Sequence, residues 1–381
     1  MTAHSLPSPC FVLDEARLEA NAAILKLVQE RSGAKILLAL KAFAMWSAFP
    51  LLSRSKGRGP LWGCCASSPH EARLAREEFG GEVHAFAAAF SDADLEELVC
   101  HADHLVFNSL AQWRRFKEKY AADKLAVQCG IRINPEHSEG APAIYNPCAP
   151  GSRLGVRRAQ FDISQFQGIS GLHFHSLCEQ GADALQRTLL VFEKNFGPFL
   201  HGLEWLNFGG GHHITRPDYD LDLLCACIEQ MSRRYGVQVY LEPGEAVALD
   251  AGYFVSSVLD VVEADMPIAI MDCSATCHMP DVLEMPYRPF VVASDLPGHK
   301  AYSYRLAGKS CLAGDIIGEY SFDFPLEPGR RLVFTDMAHY SMVKTNTFNG
   351  LALPDIMSMS SGGEIRQIRR FGYEDFKWRL S

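Results

Sequence analysis

Eight short runs of apolar, β-prone residues recur along the first 250 residues of the chain. They begin near residues 35, 59, 83, 104, 125, 169, 203 and 237. Amphipathic segments with helical periodicity lie between them, such as SPHEARLAREEF, SDADLEELV, SLAQWRRFKEKY and ADALQRTLLVFEKNF, and several of these begin with a capping Ser or Asp. Strand and helix alternating eight times is the pattern of a (β/α)8 TIM-type barrel, in which functional groups gather at the carboxyl ends of the strands. A doubly wound open sheet is the structural alternative.

The sequence changes character after about residue 246. Strand-like runs split by Gly, Pro and Asp then follow one another without helical segments between them, as in YFVSSVLDVVE, PIAIMDC, AYSYRLAG and RLVFTDM. A series of strands of this kind is typical of a β unit. The chain is therefore predicted to be an α/β protein, a (β/α)8 barrel with a second, mainly β domain.

Composition and charge narrow the possible functions. The formal net charge is -9 without a long basic run, which does not favour nucleic acid or a membrane surface as a partner. The twelve cysteines are scattered and lack the paired CxxC spacing of a structural zinc site, so we interpret them as reduced thiols. The first twenty residues have neither the basic start nor the apolar stretch expected of a secretory signal, and no segment offers about 18 uncharged apolar residues for a membrane span. We expect a cytoplasmic protein, without a metal, that acts on a small molecule.

The apolar run AKILLALKAFAMW contains a single charge, Lys41. An uninterrupted apolar run is typical of a strand covered on both faces, so Lys41 is predicted to end a buried strand. One interpretation is a lysine whose ammonium reaches water at the end of the strand. The other is a nucleophilic lysine that burial keeps partly unprotonated, because desolvation disfavours the ammonium form.

Reactive or conformationally permissive residues follow most of the proposed strands, as expected of a barrel enzyme. In chain order they are Lys41, the turn CCASS, Asn108, Arg132 and Asn134, His173 and His175, Gly209 to Gly211, and Glu242. Three glycines can turn tightly and present bare N–H groups to an anion, and barrel phosphate sites favour the loops after the last two strands. A flexible loop is the alternative explanation of the glycines.

A strand-end lysine, a late glycine-rich loop, an imidazole and a carboxylate in one barrel suit pyridoxal 5'-phosphate as the cofactor. A lysine binds the cofactor aldehyde covalently, and a carboxylate beside the pyridine nitrogen keeps that nitrogen protonated. The sequence therefore favours Lys41 as the lysine that binds this cofactor.

Ten segments spread over nearly the whole chain match one known group of enzymes. They are LALKAF, CASSPHE, RINPEHSE, PGSRLGV, GLHFHSLCEQ, NFGGGHHIT, LEPGEA, MDCSATCHMPDVLEMPYRP, CLAGD and DMAHYSMVKTNTFNG, and the segment at 271–289 is the most specific. In these segments the chain resembles the fold-type III decarboxylases, which have an alanine racemase-like barrel, and among them the carboxynorspermidine/carboxyspermidine decarboxylases. The resemblance implies decarboxylation of carboxynorspermidine or carboxyspermidine to norspermidine or spermidine, in polyamine biosynthesis.

The resemblance also implies an organisation and a set of site residues. It implies a pyridoxal-phosphate-binding barrel at residues 30–250 and a β domain of residues 1–29 plus 251–381, in a homodimer with active sites at the subunit interface. The residues carried over from the family are Lys41, which would bind the cofactor; His175, which would stack on its ring; Glu242, which would pair with the pyridinium nitrogen; Gly209, Gly210, Gly211 and Tyr340, which would hold the phosphate; and Cys311, which would reprotonate the α-carbon in the partner's site.

Two departures from the broader family concern the substrate. Ornithine-type enzymes carry an acidic residue for the distal amine directly after the cysteine, whereas Leu312 follows Cys311 here. They also read Glu-Pro-Gly-Arg where this chain has Glu245 as the fourth residue. The first departure argues against a plain diamine precursor and moves the predicted amine partners to Asp272, Asp281, Glu284 and Asp315. Among these we favour Asp281 or Glu284 as the amine ligand and Asp272 as the residue that positions the segment.

Three rival functions remain open at this stage. Another enzyme of the same fold is the nearest, either a diamino acid decarboxylase or an amino-acid racemase, although a racemase usually needs a tyrosine where KSCLAGD offers a cysteine. A non-catalytic pyridoxal-phosphate-binding protein leaves the last 130 or so residues unexplained. Metal binding is the third, but its candidate ligands match no closed zinc pattern: His173, His175, His212, His213, Cys273, Cys277 and His278.

Overall fold

The computed structural model describes residues 6–120, 126–140 and 143–381, which form two compact units. One unit is Glu19–Val247, and the other combines the chain up to Leu18 with Ala248–Ser381. The sequence had predicted the limits of the barrel at residues 30 and 250. Within the described residues, none of the helices has the length and apolar character that a bilayer span requires.

The chain begins with strand β1 (Cys10–Asp14) and helix α1 (Glu15–Ser32) and then forms eight parallel strands that close into a barrel. The barrel strands are β2 (Lys35–Ala39), β3 (Gly63–Ala66), β4 (Glu82–Phe86), β5 (His104–Phe107), β6 (Gln128–Arg132), β7 (Gly171–His173), β8 (Trp205–Asn207) and β9 (Gln238–Leu241). Strand β2 pairs with β9 through Lys35 with Tyr240 and Ile36 with Leu241, which closes the sheet. The barrel prediction is therefore confirmed and the open-sheet alternative is wrong. The predicted start of the fifth run, Leu125, lies outside the described residues.

Helices follow most of the barrel strands, and several of them start at a capping serine. The helices are α2 (Phe49–Leu52), α3 (Pro69–Leu74), α4 (Asp92–His101), α5 (Leu110–Tyr120), α6 (Ala182–Phe196), α7 (Leu221–Tyr235) and α8 (Glu245–Ala248). The Ser68 hydroxyl accepts the Glu71 N–H at the start of α3, and Ser91 forms a capping box with Asp94 at the start of α4. Both serines satisfy N–H groups that have no partner within the helix, as their sequence positions predicted.

The middle of the barrel is filled by one indole ring that packs against two glycines. A Cβ atom at Gly171 would lie 2.0 Å from the Trp205 ring, and one at Gly130 would lie 2.2 Å from it. No side chain fits at such distances, so glycine is required on β7, which pairs with the Trp205 strand, and on β6, the next strand of the barrel. The buried side chains of Leu37, Val106 and Tyr240 complete this cluster.

A polar cluster lies at the amino ends of the barrel strands, the end opposite to the predicted site. The rings of His84 and His104 stack with centroids 3.8 Å apart, and both Lys35 and Tyr240 donate hydrogen bonds to Glu82. Burial raises the pKa of Glu82, but hydrogen bonds from His84, Lys35 and Tyr240 outweigh burial and lower this pKa to about 2. Burial, reinforced by the charge of His84, lowers the pKa of His104 to about 2. At neutral pH the cluster therefore contains an ionised Glu82 and a neutral His104.

We expect the barrel to lose stability as the pH falls below about 6.5, the pKa of an unperturbed histidine. The lowered pKa of His104 means that the folded state binds fewer protons than the unfolded chain, which costs up to about 1.4 kcal/mol for each pH unit below that value. Below about pH 4.5, Glu82 adds to the loss in the same direction. Urea unfolding of the wild type and of His104→Phe, measured between about pH 7 and pH 5, checks this. The phenylalanine keeps the stacked ring but cannot be protonated, so equal pH dependence in both proteins would contradict the prediction.

The other unit is built mainly from strands, as predicted. They are β10 (Gly252–Val262), β11 (Ile268–Met271), β12 (Tyr302–Ala307), β13 (Ile316–Phe322), β14 (Arg331–Thr335), β15 (Asp355–Met359) and β16 (Ile365–Arg369). Two short helices, α9 (Ala275–His278) and α10 (Asp281–Glu284), lie between β11 and β12, and α11 (Tyr373–Lys377) follows β16. The strand order is β13-β12-β11-β10-β1-β15-β16, and β14 pairs with the first half of β10. The segment that the sequence marked as most specific thus follows β11 directly.

Candidate active site

Lys41 lies in the turn that follows β2, directly after the buried residues Ile36 to Leu40. The Lys41 side chain itself is exposed. The expectation that burial keeps this ammonium desolvated is therefore wrong for this chain, because the turn carries the side chain out of the buried strand. Its charge still acts on the barrel end, since it contributes to lowering the pKa of His175.

Glu242 follows β9 and forms the centre of a buried hydrogen-bond network at the carboxyl ends of three strands. It accepts a hydrogen bond of 2.7 Å from Asn207 Nδ2 at the end of β8, and His173 Nε2 at the end of β7 lies 3.2 Å from its other oxygen. Burial raises the pKa of Glu242, but its interactions with His173, His84 and Asn207 outweigh burial and lower this pKa to about 2. Burial also lowers the pKa of His173, so this imidazole is neutral. The site therefore holds a buried carboxylate, 8% exposed, whose two direct hydrogen-bond partners are uncharged.

The glycines Gly209 to Gly211 follow β8 and are packed tightly against the loop that follows β7. With φ values of +70° and +83°, Gly209 and Gly211 adopt left-handed conformations, and a Cβ atom on Gly211 would lie 1.9 Å from the Leu177 carbonyl oxygen. Only glycine fits these positions. The Gly209 N–H donates to Asn207 Oδ1 at 2.8 Å and the Gly210 N–H to His175 Nδ1 at 3.0 Å. The expectation of bare N–H groups is thus wrong for these two residues, which use theirs within the barrel.

His175 is a neutral imidazole in a defined orientation. Burial, followed by the charges of Lys41 and Arg132, lowers the pKa of His175 well below its usual value. Its Nδ1 accepts the Gly210 N–H, so in this neutral ring the proton is on Nε2. Arg132 Nη2 donates to the His175 carbonyl oxygen at 3.1 Å, while the guanidinium lies 4.6 Å from the Phe86 ring centroid. A neutral, fixed ring of this kind can stack on a flat ligand.

In the β unit, two of the four predicted amine partners are buried and accept hydrogen bonds from other residues of the same unit. Asp272, 8% exposed, accepts hydrogen bonds from the hydroxyls of Ser8 and Ser256 and from the Ser257 N–H. Asp315, 2% exposed, accepts from the Ala275 N–H at the start of α9, and from Ser310. Both carboxylates therefore hold local backbone segments in place.

The other two predicted amine partners, Asp281 and Glu284, share a cationic partner. Both lie on α10, and the ammonium of Lys344 contacts Asp281 and lies 2.5 Å from Glu284. The structure therefore brings these two acids together around an alkylammonium group. The sequence analysis did not single out Lys344, because 60 residues separate it from Glu284 along the chain.

The remaining predicted residues of the β unit, Cys311 and Tyr340, both lie in irregular segments. Cys311 is exposed, and its N–H donates to Asn349 Oδ1 at 2.8 Å. Tyr340 has a left-handed backbone, with φ +47°, in the turn that leads to Lys344. The exposed Leu312 follows Cys311 in an exposed loop, and Asp315 at the end of this loop is buried.

Comparison with known proteins shows the family of the chain. The family model described as "Pyridoxal-dependent decarboxylase, C-terminal sheet domain" matches residues 10–338. The chain is a pyridoxal-dependent decarboxylase. The carboxyaminopropylagmatine decarboxylase of Synechocystis is 47% identical to it, over 99% of this chain and 96% of the relative. The carboxynorspermidine/carboxyspermidine decarboxylase of Campylobacter jejuni is 42% identical, over 98% of each protein.

Solved structures agree with this family assignment. The decarboxylase matches the carboxynorspermidine decarboxylase of Campylobacter jejuni complexed with norspermidine, with a TM-score of 0.89, 40% identity, and coverage of 98% of this chain and 100% of that chain. It shares the fold of the diaminopimelate decarboxylase of Helicobacter pylori, with a TM-score of 0.80 at 18% identity, covering 99% of this chain and 97% of that chain. The sequence-based family prediction is therefore confirmed.

The residues at the barrel end fit the cofactor of this family, pyridoxal 5'-phosphate. A protonated pyridine nitrogen needs an anionic partner, and Glu242 is a buried, ionised carboxylate that Asn207 and His173 hold in place. The neutral ring of His175 can cover a flat cofactor, and Lys41 supplies an accessible amine in the same part of the barrel. These are the chemical groups that this cofactor requires of a protein.

Among the described residues, two clusters bring together side chains that can bind metals, although the sequence spacing matched no metal site. They are Glu82, His84 and His104 at the amino ends of the strands, and Glu179, His213 and Glu245, the first residue of α8, at the other end. In the first cluster, the ammonium of Lys35 contacts Glu82. In the second, His213 Nε2 lies 3.2 Å from Glu245 Oε1. The fold alone creates these clusters, since their members come from different strands and loops.

The sequence analysis missed Asn207, which connects two parts of the site. Its amide donates to Glu242 and its carbonyl oxygen accepts the Gly209 N–H, so it links the carboxylate to the glycine loop. One signal was present in the sequence: Asn207 lies at the carboxyl end of the run predicted to begin near residue 203, directly before FGGG. A polar residue at the carboxyl end of a barrel strand is a candidate site residue by position alone.

Proposed function

We propose that this decarboxylase acts on a carboxylated polyamine, carboxynorspermidine or carboxyspermidine, and releases norspermidine or spermidine. The observation that carries this proposal is the full-length similarity to carboxynorspermidine/carboxyspermidine decarboxylases, at 42% identity for the Campylobacter jejuni relative and 37% for that of Herminiimonas arsenicoxydans. A solved relative that matches 98% of this chain holds norspermidine. Diaminopimelate decarboxylases are more distant, at 22 to 25% identity, which does not favour the diamino acid alternative.

A second candidate substrate is carboxyaminopropylagmatine. The Synechocystis relative of that name is 47% identical to this chain, a higher identity than either carboxynorspermidine/carboxyspermidine relative has. The two candidates differ at the distal end, where agmatine carries a guanidinium and a polyamine carries an ammonium. A planar guanidinium favours bidentate carboxylate contacts, whereas an ammonium is a compact point charge.

The test is a substrate panel with the cofactor-loaded enzyme. Carboxynorspermidine, carboxyspermidine, carboxyaminopropylagmatine, meso-diaminopimelate, ornithine and alanine are supplied separately, and carbon dioxide release and racemisation are measured for each. The proposal expects the highest kcat/KM for one of the first two substrates, without racemisation. A higher value for carboxyaminopropylagmatine would select the second candidate, and turnover of diaminopimelate or ornithine alone would refute both.

For the barrel, we propose the roles that the geometry around Glu242 supports. When bound, pyridoxal 5'-phosphate accepts the electron pair that the departing carboxylate leaves behind. Lys41 attaches the cofactor, His175 packs on its ring, and Glu242 keeps its pyridine nitrogen protonated. We assign the phosphate to the glycine loop of Gly209, Gly210 and Gly211 together with Tyr340, with the Gly211 N–H as the donor from this loop, because the Gly209 and Gly210 N–H groups already donate within the barrel.

For the β unit, we propose that Cys311 returns a proton to the α-carbon of the substrate. Its exposed thiol in the loop before Asp315 suits this role. The anchoring of that loop by the hydrogen bond from Ser310 to Asp315 supports a fixed position for the thiol. Asp315 is in this proposal a positioning residue.

We expect that Asp281→Asn and Glu284→Gln each lower kcat/KM for carboxynorspermidine or carboxyspermidine by more than about tenfold. The reason is that a charge-assisted contact to the distal ammonium of the substrate is lost. Cofactor binding, followed by absorbance, is expected to survive. Glu327→Gln is a matched control, since it removes an exposed glutamate of the same unit. If both variants keep kcat/KM within a factor of two of the wild type, the amine assignment is wrong.

We propose that the working form is a homodimer with shared active sites, on the basis of the family resemblance at Cys311. We expect inactive Lys41→Ala and inactive Cys311→Ala chains to recover activity when mixed. Random exchange at equal ratio makes about half of the dimers hybrids with one complete site each, so about a quarter of wild-type activity is expected. Native mass spectrometry reports the exchange. Hybrid dimers that form without any recovery would contradict shared sites.

We also propose that the enzyme works in the cytoplasm. All twelve cysteines are free, which suits a reducing compartment. A net charge of -9 suits a cationic small molecule as the partner better than nucleic acid.

A further inference from the structure

An internal ammonium occupies the carboxylate pair that is proposed for the distal amine. Asp281 and Glu284 lie three residues apart on α10, which places them on one face, and Lys344 reaches both. The backbone N–H of Lys344 donates to the Tyr340 carbonyl oxygen at 2.9 Å, which fixes the start of its side chain. The pair therefore holds an alkylammonium group, the same chemical group that ends a polyamine.

The cluster keeps a negative charge and stays accessible. Burial alone would lower the pKa of Lys344, but its hydrogen bonds to Asp281 and Glu284 outweigh burial and raise it, so the lysine remains charged. Two carboxylates and one ammonium leave one net negative charge. The side chains of Lys344, Asp281 and Glu284 are 34%, 19% and 58% exposed, so a second cation can approach them.

The two other candidate acids differ in their partners. Asp272 accepts hydrogen bonds from serine hydroxyls and a backbone N–H, and Asp315 from backbone N–H groups and Ser310. Replacing those neutral donors with a ligand would break local structure. By contrast, exchanging one ammonium for another on Asp281 and Glu284 preserves the charge and hydrogen-bond count of the pair.

We propose that Lys344 is a specificity-determining residue that competes with the polyamine chain for Asp281 and Glu284. This inference rests on the proposed function. A distal ammonium of the substrate displaces the Lys344 ammonium from the pair, and Lys344 returns as the product leaves. The competition weakens binding of any ligand long enough to reach the pair and does not affect shorter ones. It therefore limits affinity for the product, which carries the same distal amines as the substrate, and speeds its release.

The experiment measures norspermidine and 1,3-diaminopropane affinities of the cofactor-loaded enzyme by calorimetry. The variants are Lys344→Met, which removes the ammonium; Lys344→Arg, which keeps a cation; and Lys300→Met, a matched control because Lys300 of the same unit also pairs with a carboxylate, Asp323, at 2.9 Å. Because the competing ion pair is lost, Lys344→Met is expected to bind norspermidine roughly threefold to tenfold more tightly than the wild type. Its KM for carboxynorspermidine is expected to fall, without a rise in kcat. Lys344→Arg and Lys300→Met are expected to bind norspermidine like the wild type. Diaminopropane affinity should stay the same in every protein.

Each other outcome overturns the inference. If Lys344→Met binds norspermidine with unchanged or weaker affinity while remaining folded, Lys344 only ties α10 to its loop. If diaminopropane binding tightens equally, the effect is general electrostatics and not competition at the pair. A third outcome is that the wild type binds norspermidine and decarboxylates carboxynorspermidine, but Lys344→Met binds norspermidine no more tightly than the control variants do. In that case this inference is wrong and the proposed function stands. If the wild type binds no polyamine and releases no carbon dioxide from any carboxylated one, the proposed function fails with it.

Discussion

Replacing Lys41 with alanine is expected to leave no measurable decarboxylation in a protein that still folds. The amine that attaches the cofactor is lost, and no neighbouring lysine follows the same strand. The Lys41 side chain is exposed while Ile36 to Leu40 carry the packing, so we expect the free energy of unfolding to change by less than about 0.5 kcal/mol. Carbon dioxide release measures the activity, and thermal unfolding measures the stability.

Borohydride reduction identifies the cofactor lysine independently of turnover. In the wild type, reduction is expected to fix the cofactor permanently on the peptide that contains Lys41, as mass spectrometry of a digest shows. Lys26→Ala is the control, because Lys26 is a solvent-exposed lysine of α1 and its loss should change neither labelling nor activity. Recovery of the label on another lysine would overturn the assignment.

Replacing Glu242 with glutamine is expected to lower kcat on the order of 10²-fold to 10³-fold, because a preorganised charge is removed from the reacting centre. The structure adds a second cost. Asn207 Nδ2 and His173 Nε2 both direct a donor at the carboxylate, and the glutamine amide can accept only with its oxygen. One donor–donor contact in a buried network typically costs about 1 to 3 kcal/mol, so the variant is also expected to unfold at a lower temperature.

Cofactor affinity separates these two effects. We expect Glu242→Gln to bind pyridoxal 5'-phosphate more weakly and to show an altered pH dependence of the cofactor absorbance, because the pyridine nitrogen loses its anionic partner. Glu204→Gln is the matched control, since Glu204 is an exposed glutamate at the amino end of β8. A Glu242→Gln enzyme with wild-type kcat would show that the carboxylate does not act on the cofactor.

Local patterns in the sequence were sufficient to predict the fold and to propose candidate site residues at the ends of strands. Apolar runs separated by amphipathic segments predicted the barrel, because the spacing of apolar residues within a segment distinguishes a strand from a helix. Ser68 and Ser91 marked helix starts because capping is a contact between residues three apart. Lys41 and Glu242 were found by the rule that barrel strands direct their carboxyl ends to one side.

Only the tertiary structure decided how these side chains are paired. The sequence left open whether the Lys41 side chain is buried or reaches water, and the turn after β2 exposes it. It placed Asp281 and Glu284 among the candidate amine ligands without the lysine that joins them, because the contact to Lys344 spans 63 residues for Asp281 and 60 for Glu284. Asn207 likewise meets Glu242 only because β8 and β9 are neighbours in register. Such contacts depend on strand register and packing, which are properties of the whole fold. Hydrophobic periodicity and helix capping depend only on residues that are close together in the sequence.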